Sequence, residues 1–384
     1  MAPALMLVPS KNCANLTRRD FTAGMLTSGV AVGSVSHART KTMSIPALQK
    51  QYQLIRGESG FKLTVKEAPV APPKDHQILI RMRAASLNRR DIMVKKGLYP
   101  TGRPDWLVPL SDGAGEILAI GNGVQRFKVG DRVAPTFFQE WESGRSSPKS
   151  MPSALGGGLD GVLTEYLTLH ENGAVAIPAY LSFDEAATLP CAAVTAWSGL
   201  VTHGGLQPGD NVLLQGTGGV SIFGLQFAVA ARANGIITSS SDAKLTKAKS
   251  MGAVAGINYK SNIDWEKPVR AATQDVGVHH VLEVGGAGTL PKSLAALGFG
   301  GHVALIGGLS NFGGDIPVFS LIGRNASVTG ITVGSRAEFE AMLVFMTKHQ
   351  IKPVIDKTFE YFNAEAAYEY MDTGNHFGKI VIRI

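Results

Sequence analysis

The segment from Asn211 to Ala228, NVLLQGTGGVSIFGLQFA, has residue types and spacing suited to holding a diphosphate. Val212 to Gln215 reads as a short apolar strand. Gly216, Thr217, Gly218 and Gly219 follow, and Val220, Phe223, Gly224, Phe227 and Ala228 then recur at helical spacing. A strand, a glycine turn and a helix bring a pyrophosphate onto backbone N–H groups at the helix N-terminus. Gly216 permits the tight turn, and Gly218 lets the backbone come close to the phosphates. The third glycine of the usual G-x-G-x-x-G pattern falls on Ser221, which is small enough for close helix–strand packing. A dinucleotide site is the expectation, and a plain strand-to-helix turn is the alternative.

A chain of 384 residues has room for two domains of ordinary size. With 45% apolar residues and 45 glycines it reads as globular and rich in turns. No apolar run is long enough to span a bilayer, so membrane insertion is not expected. The net charge of +7 comes from scattered Lys and Arg, and aromatics are only 7%, which argues against nucleic-acid binding. A mild positive excess does suit an anionic cofactor. Two cysteines, Cys13 and Cys191, exclude a disulfide framework. No G-x-S-x-G hydrolase signature occurs.

Residues 1–42 differ in character from the rest. Thr17-Arg18-Arg19-Asp20-Phe21 pairs two arginines with a bulky apolar residue, Ala23 to Val35 is mildly apolar, and Ser36-His37-Ala38 offers a cut after Ala38. The order is that of a twin-arginine export signal, implying a periplasmic or exported protein. A start at Met43, and a cytoplasmic protein, is the alternative.

Two patterns must position the glycine turn. From Gln51 to about His170 short strands alternate with turns: Gln51–Ile55, Lys62–Glu67, Gln77–Ala84, Gly115–Ile120, Asp131–Pro135 and Gly161–Leu169. Beyond Pro208-Gly209-Asp210 strands and helices alternate. Strands are expected over Ile236–Ser239, Ala255–Asn258, His280–Val284 and His302–Ile306, with helices over Ala243–Met251, Trp265–Thr273 and Leu290–Leu297. That alternation implies a doubly wound parallel sheet in an α/β protein. A helix from Ala337, another over Ala364–Met371 and a strand over Lys379–Ile384 close the chain.

Several stretches carry a family pattern: SLNRRD (86–91), LSDGAGEI (110–117), KVGDRVAP (128–135), GGGLDGVLTEY (156–166), LPCAAVTAW (189–197), GTGGVS (216–221), MGAVAGINY (251–259) and HFGKIVI (376–382). Over about residues 48–384 the chain resembles the medium-chain dehydrogenase/reductase superfamily. Within it, the resemblance is to the zinc-independent quinone oxidoreductases and their alcohol dehydrogenase-like relatives. The resemblance implies a GroES-like β-rich catalytic domain beginning at 48–171, a Rossmann cofactor domain over 172–333 and a return segment of the catalytic domain over 334–384. It also implies a cleft between the domains and a homodimer.

In NAD-specific relatives a carboxylate ends the second strand and binds the ribose 2′-OH. The matching position here is Ser239, followed by Ser240 and Ser241, with Lys244 one helical turn on. Hydroxyls and a cation favour NADP, since a carboxylate would repel the 2′-phosphate; NAD stays open because Asp242 is near. Tyr259 resembles the family tyrosine at the adenosine end. Gly285 and Gly307 end later strands on the cofactor edge. Lys379, in the C-terminal F-G-K, is a candidate cofactor contact, with a surface lysine as the alternative.

Zinc-dependent relatives hold their catalytic metal with Cys, His and Cys. The matching positions are Asn88, Ser111 and Cys191, and the loop at 137–158 lacks the four cysteines of a structural zinc lobe. Asn and Ser are poor zinc ligands, so no zinc is expected. Cys191 then reads as a small packed residue. His279 and His280, adjacent before a strand, read as structural residues on opposite faces. Without a Lewis acid, hydride transfer suits a quinone or an α,β-unsaturated carbonyl, whose anion spreads its charge and needs only neutral donors. Asn88 is the first candidate donor. Ser111 and Asp112 are candidates for the same cleft, Tyr99 for proton donation or closure, and Arg89 with Asp91 for a structural pair. A zinc-free alcohol or aldehyde dehydrogenase is the alternative on the same fold, and a non-catalytic NADP-binding redox sensor is the alternative of another class.

Overall fold

The computed structural model describes residues 45–58, 60–103, 105–309, 313 and 316–384. The export signal expected within residues 1–42 lies outside the described residues.

The alternating half forms a six-stranded sheet. Its order is Ala255–Asn258, Asn234–Ser239, Asn211–Gln215, Val278–Glu283, Leu297–Leu305 and Ser327–Gly330, and every pairing is parallel. Both faces are covered, so the central residues Leu213, Leu214, Ile236, Ile237, Val281, Leu282 and Val303 are fully buried. The chain winds outward from Asn211–Gln215 in one direction, then crosses to Val278–Glu283 and winds in the other. The crevice at that reversal is where such sheets bind ligands. The fold class expected from the sequence is therefore the fold class observed.

The β-rich half forms a seven-stranded sheet around Gln77–Ser86 and a three-stranded sheet at its side. Gln77–Ser86 pairs with Asp112–Ile120, Tyr166–His170 and Lys379–Arg383, all antiparallel. The C-terminal strands Ile355–Glu360 and Lys379–Arg383 thus rejoin the sheet, and Lys379 lands just beyond Ser86, the end of Gln77–Ser86.

Some local readings differ from the structure. The strand expected over Gly161–Leu169 begins only at Tyr166. Before it, Gly161, Val162 and Leu163 donate to the carbonyls of Val108, Leu110 and Pro109, so this stretch fills a loop instead of a ladder. The strands Ser327–Gly330 and Ile355–Glu360 were not anticipated; their mixed exposure gives no clean alternation. The helix Arg89–Lys95 is short and was legible only as chemistry. The stretch Leu189–Thr202 is one helical run with wide turns at both ends and a regular turn at Val194–Trp197. Among the described residues no helix is long and apolar enough to cross a membrane.

Two glycines join the halves. Gly378, just before the return strand, donates its N–H to Thr217 O at 3.0 Å, and its backbone runs parallel to Gly218 in the glycine turn. Gly378 has φ +84°, and a Cβ there would lie 2.4 Å from Val354 O. Gly378→Ala therefore imposes both a left-handed strain and a backbone clash. It is expected to destabilise the fold by more than about 1 kcal/mol, read as a drop of several degrees in a thermal melt; an unchanged Tm would remove this joint from the account.

Candidate active site

The site grows from the first turn of the helix Arg89–Lys95. Asn88 is its N-cap in extended conformation. The Asn88 N–H donates to Asp91 Oδ2 at 2.7 Å, so Asp91 closes the turn and leaves the Asn88 side chain for other work. Asp91 is buried, and burial pushes its carboxyl up to about 6, against the opposing pull of Arg90 and the Asn88 N–H.

Lys379 enters from the return strand and is only 3% exposed. Its Nζ donates to Leu87 O at 2.7 Å and to Asn88 Oδ1 at 2.6 Å, and lies 3.6 Å from Asp112 Oδ2. Asp112 is fully buried. Its Oδ1 accepts from Ser111 Oγ at 2.7 Å and its Oδ2 from the Cys191 N–H at 3.2 Å. Both carboxylate oxygens are thus hydrogen-bonded beside the ammonium, as a buried ion pair requires. Leu110, immediately before Ser111, has φ +68° and is fully buried. That strain, about 1–3 kcal/mol, persists only where the surroundings over-determine it.

The ammonium fixes the Asn88 amide. A lysine donates and never accepts, so the oxygen of the amide must face it. The nitrogen, Nδ2, then points the other way, is enclosed, and has no hydrogen-bond partner. An enclosed donor without an acceptor costs about 1–3 kcal/mol, which an incoming carbonyl oxygen would recover.

The glycine turn has the shape of a phosphate cradle. Gly216 has φ +73°, and a Cβ on Gly216 or Gly218 would meet nothing within 4 Å, so that space is open. The helix Gly219–Ala230 begins with no side-chain cap on its N–H groups. Those free donors and the open space fit a dinucleotide diphosphate. Gly219 is tighter: a Cβ there would lie 2.7 Å from the Lys379 Cδ and 3.0 Å from the Ala192 Cβ. The stem of Lys379 therefore runs along the cradle on its way to Asn88.

Several expected residues stand elsewhere or do other work. Ser111 and Asp112 are fully buried beneath Asn88 and line no open wall, because both are consumed in holding Lys379 and Cys191. Arg89 does not pair with Asp91; it meets Asp372 at 3.5 Å, since Asp91 is turned inward as the helix cap. Lys379 is neither a surface lysine nor free to reach a phosphate with its amine. Lys244 donates its amine to Gly374 O at 2.9 Å and His376 O at 3.0 Å, so its charge serves the C-terminal loop and is not turned to a 2′-phosphate. The Gly285 N–H donates to Glu283 Oε1 at 2.8 Å, at the end of its strand. Tyr99 is 39% exposed, with the Arg90 guanidinium 5.9 Å from its ring. Thr217, Gly218, Gly219 and Val220 lie together at the cradle. Ser239 ends its strand, with its Oγ accepting from the Ser241 N–H, and Ser241 caps the next helix. Tyr259 lies against that strand end through its N–H to Ser239 O, and Gly307 packs close to Val284 O. Asp242 is bound by the Asn258 amide at 2.8 Å, and Asn258 is the residue paired with Ser239 at the strand end. His279 accepts from the Asn211 N–H, and both His279, at 3.9 Å, and His280, at 2.9 Å, come within reach of Asp210, so the two rings meet at one carboxylate instead of parting to opposite faces.

Sequence reasoning missed one buried network. Glu283 accepts from Gln215 Nε2 at 2.6 Å, Thr289 Oγ1 at 2.6 Å, the N–H groups of Gly285 and Gly286, and Ser293 Oγ. It locks the ends of Asn211–Gln215 and Val278–Glu283 together directly under the cradle. The only signal was a Gln and a Glu at the last position of two apolar strands.

The donor set does not fit zinc. Asn88 offers an amide already bound to an ammonium, Ser111 a hydroxyl bound to a carboxylate, and Cys191 a thiol that burial, and then Asp112, push up to about 12. A dication would also have to share this space with the Lys379 ammonium. Among the described residues no group of three His, Cys, Asp or Glu side chains converges to hold a metal.

Residues 74–179 match the family described as alcohol dehydrogenase GroES-like domain, and residues 219–348 the one described as zinc-binding dehydrogenase. The chain is similar to a zinc-type alcohol dehydrogenase-like protein of Schizosaccharomyces pombe, 45% identical over 334 residues that cover 85% of this chain and 96% of that protein. A crystal structure from Sinorhizobium meliloti 1021, provisionally named an alcohol dehydrogenase, is 38% identical with a TM-score of 0.83, covering 89% of this chain and all of that one. A structure described as an NAD-dependent alcohol dehydrogenase is 30% identical with a TM-score of 0.78, covering 88% of this chain and 99% of that one.

The raised Asp91 pKa has a consequence for stability. Unfolded, the carboxyl titrates at 3.8; folded, at about 6. The folded chain keeps a proton that the unfolded chain loses between these values, so stability falls as pH rises through this window. The contribution, of order 3 kcal/mol, is full below about pH 4 and gone above about pH 6. Asp91→Asn has no such titration. Denaturant unfolding of both proteins at pH 4 and pH 7 is expected to show a stability difference that changes with pH in the wild type's disfavour; a difference independent of pH would contradict the assignment.

Proposed function

The chain belongs to the medium-chain dehydrogenase/reductase superfamily and is an NAD(P)-dependent, alcohol dehydrogenase-like oxidoreductase; from that premise we propose that it reduces a quinone or an α,β-unsaturated carbonyl, using NADPH and no zinc. The observation that carries this reading is the Asn88 amide, held by Lys379 so that Nδ2 stands without an acceptor. Bound NADPH would supply a hydride at the carbon conjugated to the carbonyl. The electron pair displaced from the double bond gathers on the carbonyl oxygen. The Asn88 Nδ2–H group donates to that oxygen, and a proton taken from water at the α-carbon completes the saturated product. Asp112 balances the Lys379 charge, and the Lys379 amine holds the amide in one orientation. An enolate or hydroquinone anion is delocalised, so one neutral donor beside a paired cation is adequate where an alkoxide would call for a metal.

NADPH is preferred over NADH in this reading because Ser239, Ser240 and Ser241 end the second strand without a carboxylate, while Asp242 is tied to Asn258. Lys244 plays no part in that preference. Phosphate recognition rests on the hydroxyls and backbone at the strand end.

The test follows absorbance at 340 nm with quinones, enones and aldehydes, with NADPH or NADH. Quinones or enones with NADPH are expected to give the highest kcat/KM, in protein carrying substoichiometric zinc and insensitive to chelation. Asn88→Ala is expected to lower kcat about 10²–10³-fold, the usual effect of removing one oxyanion donor, with KM for NADPH little changed. Activity confined to aldehydes would favour the alcohol dehydrogenase reading, and stoichiometric zinc would overturn the metal-free one.

The proposal extends to a homodimer. The short helix Val318–Ile322 has no fully buried residue; Val318, Phe319 and Ile322 are all exposed, next to the edge strand Ser327–Gly330. An apolar group beside a free strand edge is a natural seat for a second copy. Light scattering after gel filtration is expected to give twice the chain mass, and Phe319→Asp to halve it; a monomeric wild type would rule the dimer out.

A further inference from the structure

Arg90 sits two residues beyond Asn88 on the same helical turn, and nothing above uses it. Its Nη2 donates to Leu155 O at 2.5 Å. Its Nε and Nη1 are enclosed and have no hydrogen-bond partner. The basic neighbours on this helix are all paired: Arg89 with Asp372, Lys95 with Glu365 and Lys96 with Asp372. Among the described residues no carboxylate forms an ion pair with Arg90. Asp91 is near enough to be influenced by its charge, but its Oδ2 faces the Asn88 N–H. Asp112 is taken up by Ser111, Cys191 and Lys379.

The guanidinium is nonetheless held firmly. It lies 4.3 Å from the Phe137 ring centroid and 5.9 Å from that of Tyr99. A Cβ on Gly157 would lie 3.5 Å from its Nη1, so the loop beside it presents bare backbone. Arg90 is the second residue of the helix that Asn88 caps, which places it next to the carbonyl donor along the chain. A cation packed on aromatic faces and shielded from water, with the N–H groups of two nitrogens unused, is costly unless an anion completes it. A guanidinium is also the side chain best matched to a carboxylate.

We infer that Arg90 is an anion receptor in the substrate cleft, and that the preferred substrates carry a carboxylate a few bonds from the carbonyl that Asn88 receives. Tyr99, half-exposed, forms the outer wall past which that group enters. This inference rests on the reductase reading given above for the identity of the reacting group, but not for the anion contact itself.

Two measurements separate the inference from that reading. The first compares reduction of 4-oxopent-2-enoate with that of its methyl ester, using NADPH. The wild type is expected to favour the acid at least tenfold in kcat/KM, mainly through KM. Arg90→Gln is expected to abolish the preference while leaving the ester within about threefold, and Arg90→Lys to restore part of it. Equal use of acid and ester by the wild type, or an equal loss of both in Arg90→Gln, overturns the inference and leaves the reductase reading intact. The second measures binding of the saturated acid, 4-oxopentanoate, and its ester by calorimetry on the wild type, which needs neither turnover nor a variant that folds. Acid binding at least tenfold tighter than ester binding, weakening as sodium chloride is raised, supports the anion site even if no substrate is reduced; equal binding of the two overturns it.

Discussion

The buried ammonium of Lys379 is the constraint on which the rest of this site depends. A lysine that is 3% exposed survives only if its charge is hydrogen-bonded and paired. Leu87 and Asn88 supply two acceptors from one end of a strand, and Asp112, 3.6 Å away on the neighbouring strand, supplies the counter-ion. Asp112 opens a central strand of the β-rich sheet and is filled by Ser111 and the Cys191 N–H. Asn88 caps a short helix that Asp91 closes. Remove the charge and the fully buried carboxylate beneath it loses its counter-ion, typically a loss of about 3–5 kcal/mol. The strain at Leu110, one residue before Ser111, is sustained by the same convergence.

That ammonium also ties the two ends of the chemistry together. The residue before it, Gly378, donates to Thr217 in the glycine turn, and the Lys379 stem passes the position where Gly219 would carry a Cβ. The proposed phosphate cradle and the proposed carbonyl donor are therefore connected through a single side chain and one peptide. A shift of the turn on loading a dinucleotide has a direct route to the orientation of the Asn88 amide. No long chain of packed residues is needed to carry it.

How much of this was legible in the sequence follows from the range of each interaction. The glycine turn is local: strand, turn and helix lie within eighteen consecutive residues, and their pattern gave both the sheet and the cradle. Asn88, Ser111 and Cys191 were legible through the family pattern, because each sits in a short motif. The partnership of Lys379 with Asn88 spans 291 positions, and no periodicity records it. The same holds for Glu283 and Gln215, 68 positions apart, and for Lys244 with the carbonyls of Gly374 and His376. Lys244 was misread because its position one turn beyond the strand end fits a phosphate ligand equally well. The nearer acceptors come from a loop that folds over it only in three dimensions. Arg89 and Asp91 misled for the opposite reason. Their closeness in sequence suggested a pair, but residues two apart within one helical turn point to different sides, Arg89 to Asp372 and Asp91 back to the helix cap.

The replacement of metal ligands by an amide, a hydroxyl and an ammonium partner sets a chemical limit under the proposed reading. A zinc ion would bind a carbonyl oxygen directly and bring two positive charges to it. Here the cation lies behind the amide, its charge is largely offset by Asp112, and the oxygen receives a hydrogen bond alone. Such a site stabilises an anion less than a metal does. The deficit is smallest when the substrate spreads the developing charge over its own conjugated system. The same weakness makes a second recognition element useful, because binding energy from a remote group can hold the reacting carbon in place without adding to the polarisation. Arg90, unpaired and fixed between Phe137 and Tyr99, is the group in this cleft able to provide that hold.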